Sequence, residues 1–238
     1  QKITTSCIEL GIDLAPSLQV PGAATSTYLF LTDEKGDMEL AVSDMEIYQH
    51  LTPRFLSTKE ALLNNARLVV ADTNIPAESL AWLAENCKAP LFVDPVSTAK
   101  AGKVQPILGR LHTLKPNRIE AELLSGVPIT GEESLERCAR ALLDTGLHRV
   151  FISLGADGVY AADHLGGREH VPCFPARMVN TTGCGDAFMA ALAWSWLEGL
   201  GLDESARAGL AASAIAMEGE ETINPELDVS ALRERAGL

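Results

Sequence analysis

Arg67-Leu-Val-Val-Ala-Asp72 leads through a short polar turn into Ala77–Asn86 and then Leu91-Phe-Val-Asp94, an apolar run, a stretch of helical spacing and a second apolar run closed by an acid. That order is one β-α-β unit. The pattern recurs downstream: Leu111-His-Thr-Leu-Lys115 and Val150-Phe-Ile-Ser-Leu154 read as further strands, while Arg118–Ser125, Ser134–Thr145, Ala187–Leu197 and Glu204–Met217 carry helical spacing and good helix formers. The expected class is α/β, with a mostly parallel central sheet. Each strand ends in polar residues or glycine, and open α/β sheets bind ligands at the carboxyl ends of their strands. Upstream, Ser26–Leu31 and Met38–Val42 flank the turn-rich Asp33-Glu-Lys-Gly-Asp37 and predict a small hairpin within about residues 20–45.

The 238 residues are 47% apolar and 21% charged, which suits one compact domain rather than a disordered or fibrous chain. A formal charge of -13 with scattered Lys and Arg leaves no basic stripe for a phosphodiester backbone, so nucleic acid is excluded as a partner at this level. Five cysteines without a C-x-x-C pair suit a reducing compartment, and the cytoplasm is the expected location. No apolar run reaches transmembrane length. The start Gln1-Lys-Ile-Thr-Thr5 lacks an initiator Met, so the chain is expected to begin inside a longer parent.

The sharpest local signal is Asn180-Thr-Thr-Gly-Cys-Gly-Asp186, which runs directly into the apolar helix beginning at Ala187. Gly183 and Gly185 permit a tight turn with exposed N–H groups, and a helix start adds its dipole, so the segment suits an anion such as a transferring phosphoryl group. Asp186 beside that site can accept the proton of an attacking hydroxyl. The same residues also suit a plain loop with Asp186 as helix cap. Two further blocks follow strands. Leu114-Lys-Pro-Asn-Arg-Ile-Glu-Ala-Glu122 offers an amide and a carboxylate, Asn117 and Glu120, fit for a magnesium ion that keeps its waters; it equally suits a strand-to-helix turn. Ile152-Ser-Leu-Gly-Ala-Asp-Gly158 places two glycines where a backbone can approach a nucleotide.

Taken in order, the three blocks resemble the ribokinase-like carbohydrate kinases, whose signature D-T-x-G-A-G-D precedes a helix and is matched by residues 180–186 in five of seven places. The resemblance implies a three-layer sandwich with a small β lid in a single domain over residues 1–238. It implies ATP and Mg2+ as cofactors, with Asp186 as base and Gly183, Cys184 and Gly185 as the anion hole. It further implies Asn117, Glu120, Ser153, Gly155, Gly158 and Asn224 around the nucleotide, and Glu120, Asn180 and Thr182 as metal-site positions. Asn180 stands where the family has Asp, which leaves K+ activation open. Leu91–Lys100, Leu111–Gly126 and Glu220–Pro225 are most similar to the pseudouridine kinases, which implies phosphorylation of the 5'-hydroxyl of pseudouridine. Another nucleoside (inosine, uridine), a free sugar, or a catalytically silent ligand-binding relative stays open. The lid in relatives supports a homodimer, and the relatives' first strands, G-G motif and sugar-gripping acid have no counterpart here. The histidines show no metal spacing and are expected to be surface or core polar residues.

Overall fold

The computed structural model describes residues 2–32 and 38–238, so the Asp33–Asp37 turn lies outside the described residues. Helix α1 (Lys2–Glu9) precedes β1 (Thr27–Thr32) and β2 (Met38–Asp44), which pair antiparallel with Thr27 opposite Asp44. The hairpin expected from the alternating pattern is therefore present.

The main body then runs α2 (Pro53–Ser57), α3 (Glu60–Asn65), β3 (Val69–Asp72), α4 (Ala77–Asn86), β4 (Leu91–Asp94), α5 (Thr98–Ala101) and β5 (Thr113–Leu114). It continues with α6 (Arg118–Ser125), α7 (Glu132–Leu143), β6 (Arg149–Ser153), β7 (Val159–Asp163), β8 (Arg168–Val171), α8 (Cys184–Glu198), α9 (Leu202–Glu218) and α10 (Val229–Ala236). The six strands β3 to β8 form one sheet in sequence order. Pairs from β3 to β6 are parallel, and β6-β7 and β7-β8 are antiparallel.

Successive side chains of a strand point to opposite faces, and this alternation builds two cores. Val93, Val150, Ile152, Tyr160 and Ala162 pack with Leu80, Leu83, Leu135 and Leu142 on one face. Phe92, Phe151, Val159, Ala161 and Val171 pack with Phe188, Met189, Leu192 and Leu210 on the other. Phe92 and Phe151 are each 1% exposed, and burying an aromatic of that size stabilises by about 1.5–3 kcal/mol. The result is the expected three layers, helix, sheet and helix. Among the described residues no helix is long and apolar enough to cross a membrane.

The differences from expectation are local. The strand expected over Leu111–Lys115 is a ladder of only Thr113–Leu114, followed by an isolated bridge between Asn117 and Ser153. Helix α7 begins two residues earlier than Ser134, because the Ser134 hydroxyl takes the Gly131 N–H at 3.0 Å from inside the first turn. Strands β7 and β8 and helices α1, α2, α3, α5 and α10 were not expected from the sequence.

Candidate active site

The parallel register sets Asp72 beside Asp94, so the acidic ends of β3 and β4 reach one level, and Lys115 and Ser153 follow at the ends of β5 and β6. Against this edge the chain turns into α8. Gly183 stands at the N-cap with φ +87, a conformation that favours glycine, and Cys184 is the first helical residue. No side chain caps α8. The Cys184 N–H turns back to the Thr181 carbonyl at 3.4 Å, which leaves the N–H groups of Gly185 and Asp186 to an anion, reinforced by the helix dipole. Asp186 lies within that first turn and is not the cap, which removes the plain helix-cap reading.

Two cavities meet at this turn. One, of ≈ 500 Å³, is lined by Lys115, Ser153, Gly155, Gly158, Cys184 and Gly185, with Phe174, Phe188 and Met217 supplying apolar wall. The other, of ≈ 570 Å³, is lined by Asp72, Asp94 and Asp186 with Val69, Ala71 and Met189. Six of the residues singled out in the sequence are thus brought to the two cavities, and Asp186 alone of them faces the second. Gly155 and Gly158 have φ +64 and +89, and a Cβ on Gly158 would stand 2.0 Å from the Val171 carbonyl oxygen, so that turn needs glycine.

Electrostatically the site is a cluster of acids around one lysine. Lys115 Nζ lies 3.0 Å from Asp94 Oδ2. Burial raises the Asp186 carboxyl above the ordinary range, Asp94 and Asp72 push the same way, and Lys115 opposes them. Asp72 is held by Asn74, whose backbone and side-chain N–H groups donate to its two oxygens at 2.8 and 2.7 Å.

The remaining predicted residues line neither cavity. Asn117 and Glu120 form a reciprocal capping box for α6: Asn117 N–H donates to Glu120 Oε2 at 2.8 Å and Glu120 N–H to Asn117 Oδ1 at 2.9 Å. Glu120 is buried, and burial raises its carboxyl despite the Asn117 N–H. Asn180 Oδ1 accepts from Thr182 N–H at 2.9 Å while its Nδ2 donates to the Glu220 carbonyl at 3.2 Å, tying the glycine turn to the segment after α9. Asn224 is buried with its amide on backbone groups of Ile215 and Glu226. It also packs closely under Gly219.

A profile described as pfkB family carbohydrate kinase matches residues 1–229. The chain belongs to this family. As a pfkB-family chain it is 40% identical over 231 residues to the pseudouridine kinase of Escherichia coli (strain K12), which spans 97% of this chain and 74% of that protein. An uncharacterized sugar kinase of the same organism is 36% identical over 221 residues, 91% of this chain and 60% of that protein. Among solved structures, a putative sugar kinase from Clostridium perfringens superposes with a TM-score of 0.87 at 31% identity, covering 99% of this chain and 75% of that one. Ribokinase from Thermotoga maritima gives 0.86 at 22% identity, covering 100% and 77%, which shows the same fold. The family is one of kinases, and the resemblance read from the three motif blocks is correct.

Sequence reasoning missed Asp72, Asp94 and Lys115 as site residues. Each had one usable signal, its place as the polar residue at the end of an apolar strand.

Proposed function

We propose that the protein transfers the γ-phosphoryl group of ATP to the 5'-hydroxyl of pseudouridine. The observation that carries the reading is the single turn of α8 that borders both cavities, Cys184 and Gly185 on one side and Asp186 on the other. ATP occupies the cavity of Ser153, Gly155 and Gly158, with its terminal phosphate against the open N–H groups of α8. The acceptor occupies the cavity of Asp72, Asp94 and Asp186. Asp186 takes the hydroxyl proton as the new O–P bond forms and the bond to ADP breaks. Pseudouridine is favoured by the 40% identity to a pseudouridine kinase over nearly the whole chain.

Magnesium accompanies ATP and neutralises phosphate charge. Glu120 fits its water shell: one oxygen is fixed by the Asn117 N–H, and Oε1 accepts no hydrogen bond from the described residues. Asn180 fits a monovalent cation poorly, since its amide already bridges Thr182 and Glu220. The β1–β2 hairpin, with Tyr28, Leu29 and Val42 exposed, is the lid over the acceptor and the pairing surface of a homodimer.

The test is kcat/KM of the full-length protein for pseudouridine, uridine, inosine and ribose. Pseudouridine differs from uridine by an added ring N–H, and a buried acceptor left unpaired costs about 1–3 kcal/mol, so preference should be about tenfold or more. Equal or better use of any of the other three overturns the substrate assignment.

A further inference from the structure

An ion pair stands in the wall between the two cavities. Lys115 is 7% exposed, and its ammonium meets Asp94 at 3.0 Å. Burying a lysine and an aspartate together is a poor way to gain stability, because desolvation offsets their attraction. Their placement calls for another reason, and the surroundings supply one.

Lys115 is the one charged side chain among the described residues lining the cavity of Ser153, Gly155 and Gly158. Its partner Asp94 lines the other cavity beside Asp186. The pair also sits against the first turn of α8: a Cβ on Gly185 would lie 3.4 Å from Lys115 Nζ and 3.9 Å from Asp94 Oδ2. The absence of a side chain at Gly185 thus lets the ammonium and the helix N–H groups face the same space.

Asp94 is itself clamped. Its Oδ1 accepts from Val96 N–H at 2.8 Å, and Val96 has φ 63, the only positive value at a non-glycine among the described residues. A β-branched residue in that region is strained, and such strain persists where the surroundings over-determine it. One carboxylate oxygen is therefore held by a strained turn and the other holds Lys115.

We infer that Lys115 is a catalytic residue that grips the transferring phosphoryl group, and that Asp94 is the positioning residue that keeps its ammonium aimed at the first turn of α8. The inference rests on the kinase reading above and adds to it a cation supplied by the protein itself. An ammonium has three donors. One stays on Asp94, which leaves two for phosphoryl oxygens. As the acceptor oxygen bonds to phosphorus, the acceptor proton passes to Asp186 and the bridging bond breaks with its electron pair leaving on ADP. The charge spread over the phosphoryl oxygens then lies between Lys115 and the α8 N–H groups. The same cation opposes the neighbouring acids at Asp186 and favours its ionised form.

Two measurements test this on the full-length protein. Direct titration with a non-hydrolysable ATP analogue and with ADP should show that Lys115→Met weakens the triphosphate about tenfold more than the diphosphate; equal losses overturn the contact. In turnover, Lys115→Met should lower kcat about a hundredfold or more, the loss expected for one transition-state donor. Lys115→Arg should recover part of it, and a Lys115→Met kcat within threefold of the parent overturns the inference while leaving the kinase reading intact. Asp94→Asn should lower kcat with little change in the KM for ATP. It should also move the acid limb of the pH profile to lower pH, because a carboxylate next to Asp186 is gone; in the Lys115→Met background Asp94→Asn should cost little further kcat, and a full additional loss there overturns the positioning role. A parent that binds nucleotide but phosphorylates no acceptor overturns the kinase reading instead, and the titration still decides Lys115.

Discussion

Gly183→Ala tests the anion hole through geometry alone. The substitution adds one carbon and no charge, but Gly183 has φ +87, and its new Cβ would stand 2.4 Å from the Thr222 carbonyl oxygen and 3.0 Å from Thr222 Cγ2. The left-handed conformation costs an alanine about 1–2 kcal/mol. The carbon–oxygen approach is about 1 Å short of the closest ordinary contact. The contact is to backbone, so it cannot be relieved by a rotamer change: either the turn of residues 180–183 or the segment carrying Thr222 must move by about that amount. A displacement of about 1 Å near the reacting groups lowers turnover about a hundredfold. Taking about 2 kcal/mol as the stability cost, the melting temperature should fall by about 4–8 °C for a domain of this size. Steady-state kinetics with saturating ATP and a thermal melt measure both. Gly102→Ala is the control, since Gly102 has φ -55 and a Cβ there meets nothing within 4 Å. A Gly183→Ala kcat within threefold of the parent would refute the requirement for this turn.

Three other outcomes are expected. Asp186→Asn should lower kcat by about 10²–10⁴-fold, as loss of a general base does, with ATP affinity nearly unchanged. Asp186 is solvent-exposed, so the substitution should leave the melting temperature nearly unchanged. A kcat within tenfold removes Asp186 as base. Replacing potassium by a bulky organic cation should change the parent's activity by less than about twofold, while Asn180→Asp, which swaps the donor to Glu220 for a charge, should create dependence on potassium; a large loss in the parent contradicts this. His112 should weaken the fold in acid. Its pKa is lowered to about 4, first by burial and then by Arg149, His148 and His164. The unfolded chain therefore binds more protons between about pH 6.5 and 4, and this contribution is present above 6.5 and lost as pH falls through 4. Glu120 and Asp186 have raised values and act in the opposite sense, so the comparison must be with His112→Gln, whose melting temperature should fall less over that window. Parallel curves would exclude the effect.

Legibility followed the physics of each element. Ala77–Asn86 and Arg118–Ser125 matched residue for residue because strong end signals bracket them: Pro76 before the first, and Asn117, Glu120 and Gly126 around the second. Strand β7 was hidden because Val-Tyr-Ala-Ala is buried on both faces of the sheet and shows no alternation. In β8 three exposed polar residues precede one buried valine, which leaves almost no apolar signal. The motif blocks singled out Gly155, Gly158, Gly185 and Asp186, which line the two cavities, because glycine turns at strand and helix ends are legible within one short segment. The Asp94–Lys115 pair joins the ends of neighbouring strands. Its partners lie in different β-α units, so no spacing within one segment could expose it.

The division of labour at the α8 turn follows from helix geometry. Successive helical residues point about 100° apart, so Gly185 and Asp186 necessarily face different directions, and here those directions are the two cavities. The cavity on the Asp186 side holds three carboxylates. Asp72 is tied down by Asn74, whose Oδ1 in turn takes Lys100 at 2.6 Å, while Asp94 is tied to Lys115. A triphosphate is repelled from that wall and attracted to the other, where Lys115 and the open N–H groups stand. An uncharged hydroxyl compound meets no such repulsion. The chain's net charge of -13 therefore does not argue against the proposed nucleotide site, because the local potential there is set by one lysine and one helix end.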